Sequence, residues 1–402
     1  MKKICFVAEY MYCGGSEKSL LALLNCINRK KYQITLLLLG LKGALLPQIP
    51  DDIRVEVIPL PDDEREDIQN GRGNALKKAF KSGHILSGCK KVLRGIYMTF
   101  ESKGGTDKRL WYYKSIENKI AEYPEDFDVV VDYFGYGIFN TFYAARKIKA
   151  KTKITWVHFE PEHAIPDFNV FEEILGEYQI IMCVSENIKK QMQSMMPKLA
   201  NKLKVFYNIV DAQDILKQAK QTTIQKQKGI TNILSIGRLD PQKGFDLALG
   251  AIERLLKEGY SIQWNIVGEG PQRSELEQMI KQSFILKKCV SLHGQQLNPY
   301  AYIDICDIYF QPSRHEGYGI AVAEARVFCK PIIATDFAGA KEQILDGETG
   351  IITKCTEDDL YFALKKLLDN PSLQKQFSQK LLEQKDHNIN QIKCLEEIFD
   401  KA

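Results

Sequence analysis

Ile4-Cys5-Phe6-Val7-Ala8, then Gly14-Gly15-Ser16, then Leu20, Leu21, Leu23, Leu24 and Ile27, then the aliphatic run 33–39: in that order the chain reads strand, glycine turn, helix, strand. Five apolar residues in a row are too few for a helix, and the glycine pair breaks them. Ser16 is suited to cap the helix that the leucine spacing predicts. The run 33–39 is largely aliphatic, which suits a strand buried on both faces of a parallel sheet.

The pattern continues outward. Strands are predicted at 55–60, 129–132, 154–158 and 180–185, with helical spacing between several of them, so the first part reads as a doubly wound α/β domain. A polar stretch at 217–231, rich in Lys and Gln, then separates a second round of the same grammar. Strands are expected at 232–237, 262–268, 289–294, 307–312 and 331–335, and helices at 245–257, 272–282, 319–329 and 340–345. Two Rossmann-like doubly wound domains facing across a cleft would take a ligand at the carboxyl ends of their strands. The domains are expected at 1–208 and 209–385, with a helical tail at 386–402 packing back on the first.

Composition narrows the classes of protein. Of 402 residues, 45% are hydrophobic and 26% charged, which excludes a disordered or fibrous chain. The longest apolar run, Ile34 to Leu41, is eight residues, too short to span a membrane. Lys2 and Lys3 precede too short an apolar stretch for a signal peptide, so a cytoplasmic location is expected. The ten cysteines are scattered without a C-x-x-C pair and read as reduced core residues; no metal site is expected.

Charge is uneven. Residues 1–208 carry 31 Lys and Arg against 25 Asp and Glu, and residues 209–402 carry 24 against 26. The excess peaks at 71–119, with 12 basic and three acidic residues and apolar residues at helical spacing. That segment suits either a helix packed on the first domain or an amphipathic helix on an anionic membrane surface. The overall charge of +4 is too mild to imply nucleic acid. The acidic run Asp62-Asp63-Glu64-Arg65-Glu66-Asp67 reads as a solvated loop.

Four loops at strand ends carry chemistry. In the first, Gly237-Arg238-Leu239-Asp240-Pro241-Gln242-Lys243-Gly244, an Arg and a Lys flank a strand-to-helix turn and are placed to clamp a diphosphate. The second, Val267-Gly268-Glu269-Gly270-Pro271, permits close backbone approach to a nucleotide; Arg273 at its third glycine position argues against a dinucleotide fingerprint. The third, Pro312-Ser313-Arg314-His315-Glu316-Gly317-Tyr318-Gly319-Ile320, places Glu316 in a loop and Glu324 in the helix that follows. Ionised carboxylates only accept hydrogen bonds, and sugars offer many donors. The amides near Gly319 and Ile320 form an anion site at that helix start. In the fourth, Trp156-Val157-His158 ends a strand and aims His158 at the cleft.

Taken together, these residues resemble a retaining glycosyltransferase of family 4 with the GT-B fold, of the bacterial cell-surface polysaccharide type. The likeness is carried by G-R-L-x-x-x-K-G, V-G-x-G-P, H-G, P-S-x-x-E-G-Y-G-x-x-x-x-E and G-x-T-G over about 230–370. In the first half it rests on Gly14-Gly15-x-Glu17, Trp156-x-His158, the strand end Val184-Ser185 and Tyr207-Asn208. Ile209 and Tyr318 stand where the family often has glycine and phenylalanine.

The resemblance implies that Arg238 and Lys243 hold the donor's diphosphate with amides near Gly319 and Ile320, helped by the loop at Gly14-Gly15. Glu324 would bind the ribose, and Gly237, Gly268 and Gln295 would line the nucleotide. Glu316 would contact the donor sugar beside Gly317 and Tyr318, with His158 reaching the sugar from the other domain, so that Glu316 and His158 are the catalytic candidates. No metal or other cofactor is implied. The expected donor is a nucleotide diphosphate sugar, a UDP-sugar first, and the acceptor a saccharide, lipid-linked, at the inner face of the cell membrane. The alternatives are an epimerase or phosphorylase on the same fold, or an inactive transferase-like partner subunit; the latter would be expected to lose Glu316, Arg238 or Lys243.

Overall fold

A computed structural model of the chain describes residues 1–70, 92, 93, 95, 109–135, 139–164, 168–226, 229–384 and 390–402. It divides into two units: Met1–Val184, Ile188–Phe206 and Lys393–Ala402 form the first, and Ser185–Asn187 with Tyr207–Ile392 the second.

The first unit holds seven strands: β1 (Lys2–Ala8), β2 (Tyr32–Leu38), β3 (Arg54–Val57), β4 (Phe127–Asp132), β5 (Ala150–Val157), β6 (Ile180–Cys183) and β7 (Leu203–Val205). Their order is β3-β2-β1-β4-β5-β6-β7, all parallel. Central β1 is fully buried from Ile4 to Ala8, which is why its sequence runs apolar without alternation. The helix Gly15–Cys26 starts earlier than the serine suggests. Gly14 occupies the N-cap position with no side-chain cap, and Ser16 lies inside the first turn. Leu20, Leu23 and Leu24 bury the face that packs on the sheet.

The acidic run is not a solvated loop. Residues Asp62–Asn70 form a helix with three acids in its first turn, where the helix dipole favours negative charge. Glu64 and Asp67 are buried. Lys119 Nζ lies 3.0 Å from Glu64, and Tyr112 Oη donates to Asp67 at 3.0 Å. Arg65 turns inward to donate to the carbonyls of Leu39 at 3.1 Å and Ile58 at 2.9 Å. Charge density alone reads as exposure; partners far along the chain make burial affordable.

Most of the basic segment 71–119 lies outside the described residues. Its end is the helix Arg109–Ile116, which buries Leu110, Tyr112, Tyr113 and Ile116, with the Tyr113 ring 5.4 Å from Phe139 and 5.7 Å from Phe142. The terminal helix Gln391–Lys401 places Phe399 against Tyr32 and Phe6, with ring centroids 5.5 and 6.4 Å apart. Tyr32 Oη donates to Asp400 at 2.8 Å, and the Asn28 amide donates to Glu396 at 2.9 Å.

The second unit has six parallel strands: β8 (Thr231–Ile236), β9 (Ile262–Val267), β10 (Val290–Leu292), β11 (Ile308–Gln311), β12 (Ile332–Thr335) and β13 (Gly350–Thr353), in the order β10-β9-β8-β11-β12-β13. The helix Phe245–Lys257 presents Phe245, Ala248, Leu249, Ala251, Ile252 and Leu255 to a core that includes Trp264, Phe310 and Leu364. Trp264 Nε1 donates to Ser235 at 3.0 Å, so the large indole is buried with its polar atom satisfied. Each unit is thus a doubly wound, Rossmann-like sheet. Among the described residues, no helix is long and apolar enough to cross a membrane.

Candidate functional site

In the second unit the candidate residues gather beyond the carboxyl ends of adjacent strands. Gly237 follows β8 and Gly268 follows β9; the Gly237 amide donates to Val267 at 3.0 Å and the Gly268 amide to Gly294 at 2.9 Å. Exposed Gln295 follows Gly294 beyond β10. Lys243 sits in the short 3-10 turn Pro241–Lys243, which ends at Gly244 with φ of 67°. A Cβ there would come within 2.1 Å of the Pro312 carbonyl, so the left-handed glycine lets the Lys243 turn lie against the β11 loop.

That approach brings Lys243 and Glu316 into an ion pair, 73 residues apart in sequence, with the side chains 16% and 12% exposed. Two neutral donors reach the same Glu316 oxygen, Oε1: Ser313 Oγ at 2.9 Å and Gln311 Nε2 at 3.1 Å. Gln311 Nε2 also donates to Ser313 Oγ at 2.8 Å, and Tyr309 Oη donates to Gln311 Oε1 at 2.7 Å. Arg314 points away from this set and holds Asp246 through both carboxylate oxygens, at 2.8 and 2.7 Å, keeping the Asp246 carboxyl below its ordinary range. Arg238 is different. Its side chain is 70% exposed and its ion pair, with Asp240, is 3.6 Å long. A surface guanidinium of this kind gives little stability and is available to a ligand anion.

The turn Gly317-Tyr318-Gly319 leads into the helix Ile320–Val327. Gly319, at the N-cap with φ of 81°, offers no side-chain cap, and its missing Cβ leaves room for the Phe337 ring. Gln343 Nε2 donates to the Tyr318 carbonyl, and the Tyr318 ring stacks on Tyr207 at 5.9 Å. One turn into the helix, buried Glu324 accepts from Tyr300 Oη at 3.1 Å. Gln311, Ser313 and Tyr300 are supporting residues that sequence reading missed. The available signal was a polar glutamine closing the apolar run Ile308–Gln311.

In the first unit, His158 directly follows β5 and Gly15 opens the first helix. Buried His158 places Nε2 2.7 Å from the Tyr133 carbonyl. A carbonyl only accepts, so Nε2 carries the proton and Nδ1 is an acceptor. Among the described residues, buried Nδ1 has no hydrogen-bond partner. Burial pushes the imidazole down from 6.5 to about 4, so it is neutral at neutral pH. Near Gly15, burial raises the Glu17 carboxyl to about 7, with Glu9 adding like-charge repulsion. Asp132, at the end of β4, is pushed up to about 6 by burial even though Thr155 Oγ1 donates to it at 2.8 Å.

Among the described residues, no three His, Cys, Asp or Glu side chains group as a metal site requires. The two candidate sets therefore differ in chemistry. Lys243, Glu316, Gly317, Tyr318, Gly319, Ile320 and Glu324 belong to the second unit, where the ion pair, the uncapped helix start and the buried carboxylate follow one another along the chain. His158 and Gly15 belong to the first.

Comparison with known proteins bears on the fold and on the second unit. The solved structure of Anabaena Alr3699/HepE in complex with UDP-glucose superimposes with a TM-score of 0.69 over 100% of both chains at 16% identity, a likeness of fold. The fold is the two-domain GT-B arrangement of Rossmann-like sheets. An N-acetylgalactosamine-N,N'-diacetylbacillosaminyl-diphospho-undecaprenol 4-alpha-N-acetylgalactosaminyltransferase of Campylobacter jejuni is 31% identical over 181 residues, 44% of this chain and 48% of that one. An alpha-D-kanosaminyltransferase of Streptomyces kanamyceticus is 27% identical over 168 residues, 40% and 43% of the two chains. The chain thus spans less than half the length of these curated relatives. Residues 216–383, which lie within the second unit and include Arg238, Lys243, Glu316 and Glu324, match the family described as Glycosyl transferases group 1.

Proposed function

We propose that this protein is a retaining hexosyltransferase that moves a sugar from a UDP-sugar to a lipid-linked saccharide in cell-surface glycan assembly. The observation that carries the reading is the Lys243–Glu316 pair beside the uncapped helix start at Gly319, with buried Glu324 one turn further on. Supporting it, the Campylobacter relative is named for an undecaprenol-diphosphate acceptor, and the Anabaena structure holds UDP-glucose.

In this reading Arg238 and Lys243 bind the diphosphate, as a fork and a point charge, with the amides of Gly319 and Ile320 completing the anion site. Gly15 adds a further backbone approach. Glu324 accepts from the ribose hydroxyls, while Gly237, Gly268 and Gln295 line the nucleotide. Glu316 accepts from donor-sugar hydroxyls beside Gly317 and Tyr318, and neutral His158 offers Nδ1 to a sugar hydroxyl.

As the bond from the anomeric carbon to the diphosphate oxygen breaks, negative charge grows on the leaving group, where Arg238 and Lys243 stabilise it without a metal. The acceptor hydroxyl forms its new bond on the face the diphosphate leaves, and a departing phosphate oxygen takes its proton. The configuration is retained. The reaction runs at the inner membrane face, where the basic residues of 71–119 meet anionic lipid, each contributing about 1 kcal/mol.

Incubation with a UDP-hexose and an undecaprenyl-diphosphate saccharide, followed by NMR of the anomeric proton, tests the reading. An axial linkage formed from an axial donor is expected; an inverted linkage contradicts it. Neutralising Lys77, Lys78, Lys81, Lys90, Lys91 and Arg94 together is expected to abolish binding to anionic vesicles, and unchanged binding removes the membrane from the proposal.

A further inference from the structure

The hydrogen-bond donors around Glu316 form a closed set. The carboxylate of Glu316 only accepts, so the amide nitrogen of Gln311 faces it and the Tyr309 hydroxyl proton goes to Gln311 Oε1. The two amide protons of Gln311 go to Ser313 Oγ and Glu316 Oε1, and the single Ser313 proton also goes to Glu316 Oε1. With Lys243, three donors converge on one carboxylate oxygen. Tyr309, Gln311 and Ser313 are buried, so none of these bonds exchanges readily with water. Thr335 Oγ1 donates to the Ser313 carbonyl, anchoring the relay to the end of β12.

We propose that Tyr309, Gln311 and Ser313 are positioning residues: they lock Glu316 by its Oε1 atom so that Oε2 is left to receive a donor-sugar hydroxyl. This rests on the reading of Glu316 as a sugar-binding carboxylate. The direction of the relay also explains why a glutamine rather than an aliphatic residue closes β11. An aliphatic side chain there would remove one donated bond from Ser313 and one from Glu316 in a buried site, at a cost larger than the bonds' own net worth.

The test compares Gln311→Met, which keeps length and burial but donates nothing, with Ser313→Ala and Tyr309→Phe. Affinities for UDP and UDP-glucose are measured by calorimetry for each variant and for the same changes in a Glu316→Ala background. The expected result for Gln311→Met is unchanged UDP affinity, loss of most of the extra affinity conferred by glucose, and a fall in kcat of about tenfold. Tyr309→Phe, one link further away, is expected to show a smaller loss of the same kind.

In the Glu316→Ala background none of the three changes is expected to alter UDP-glucose affinity further. Equal loss of UDP and UDP-glucose affinity, or additive loss without Glu316, overturns the relay. A crystal structure of Gln311→Met without ligand gives a second reading: rotation of the Glu316 carboxylate is expected, and an unmoved carboxylate overturns the relay whatever ligand binds. If the native protein binds neither UDP nor UDP-glucose, the UDP-sugar reading fails instead.

Discussion

The candidate residues of the two units are set by different means. In the second unit the charged candidates are matched by partners: Glu316 by Lys243, Ser313 and Gln311, Glu324 by Tyr300, and Arg314 by Asp246. In the first unit they are shifted mainly by burial: Glu17 up to about 7, Asp132 up to about 6 and His158 down to about 4. The partnered side presents an ion pair and hydrogen-bonded carboxylates. At neutral pH burial leaves His158 neutral and Glu17 about half protonated, while Asp132 stays mostly ionised.

The largest expected effect breaks the partnered side. Glu316→Ala should lower kcat by about 10³, roughly 4 kcal/mol, while UDP affinity changes little. Steady-state kinetics with isothermal calorimetry separates the two. A parallel loss of UDP affinity would make Glu316 a phosphate-loop scaffold instead of a sugar contact.

The next effect sharpens the desolvated side. Between pH 6.5 and 4 the unfolded chain binds a proton at His158 that the folded chain excludes. Its contribution to stability is therefore present above pH 6.5 and lost as pH falls through that window, by about 3 kcal/mol in all. Asp132 has the opposite sign. Its folded state takes up a proton at about pH 6, ahead of the unfolded chain, so its contribution grows as pH falls below 6. Denaturant unfolding of His158→Gln should show the acid loss removed, and Asp132→Asn should steepen it; coincident curves for all three proteins would show that burial does not govern these groups.

Lys243→Ala should come third. It removes a charge-assisted contact of about 2 kcal/mol from the diphosphate, so UDP affinity falls about thirtyfold while uridine binding is unchanged. Equal losses for UDP and uridine would place Lys243 outside the phosphate site. The smallest is Tyr300→Phe: losing one hydroxyl from Glu324 should weaken UDP by about 1 kcal/mol and leave 2′,3′-dideoxy-UDP unaffected. The same loss with both nucleotides would separate Glu324 from the ribose.

How far the sequence could be read followed from what each element depends on. Strands buried on both faces, such as Ile4 to Ala8 in β1, declare themselves by composition alone. The helix Phe245–Lys257 does so by its period. Edge strands β7 and β13 are three and four residues long and are not predicted, whereas the equally short edge strands β3 and β10 are. The acidic helix Asp62–Asn70 was illegible because its burial depends on Tyr112 and Lys119, 45 and 55 residues away from their partners.

The candidate site divides along the same line. Arg238, Lys243, Glu316 and Glu324 stand in a recognisable spacing. The Lys243–Glu316 pair arises only when a left-handed turn at Gly244 brings two loops together, and the roles of Gln311, Ser313 and Tyr300 rest on side-chain contacts that spacing does not show.

The central claim is that the partnered surface of the second unit holds a nucleotide diphosphate. Thermal unfolding of the native protein and of Lys243→Ala, each with UDP, GDP, ADP, CDP and TDP at about 100 times the dissociation constant, tests it most directly. The account predicts that UDP stabilises the native protein by about 2.7 kcal/mol and the variant much less. Stabilisation by none of the five, or an equal shift in both proteins, would contradict it.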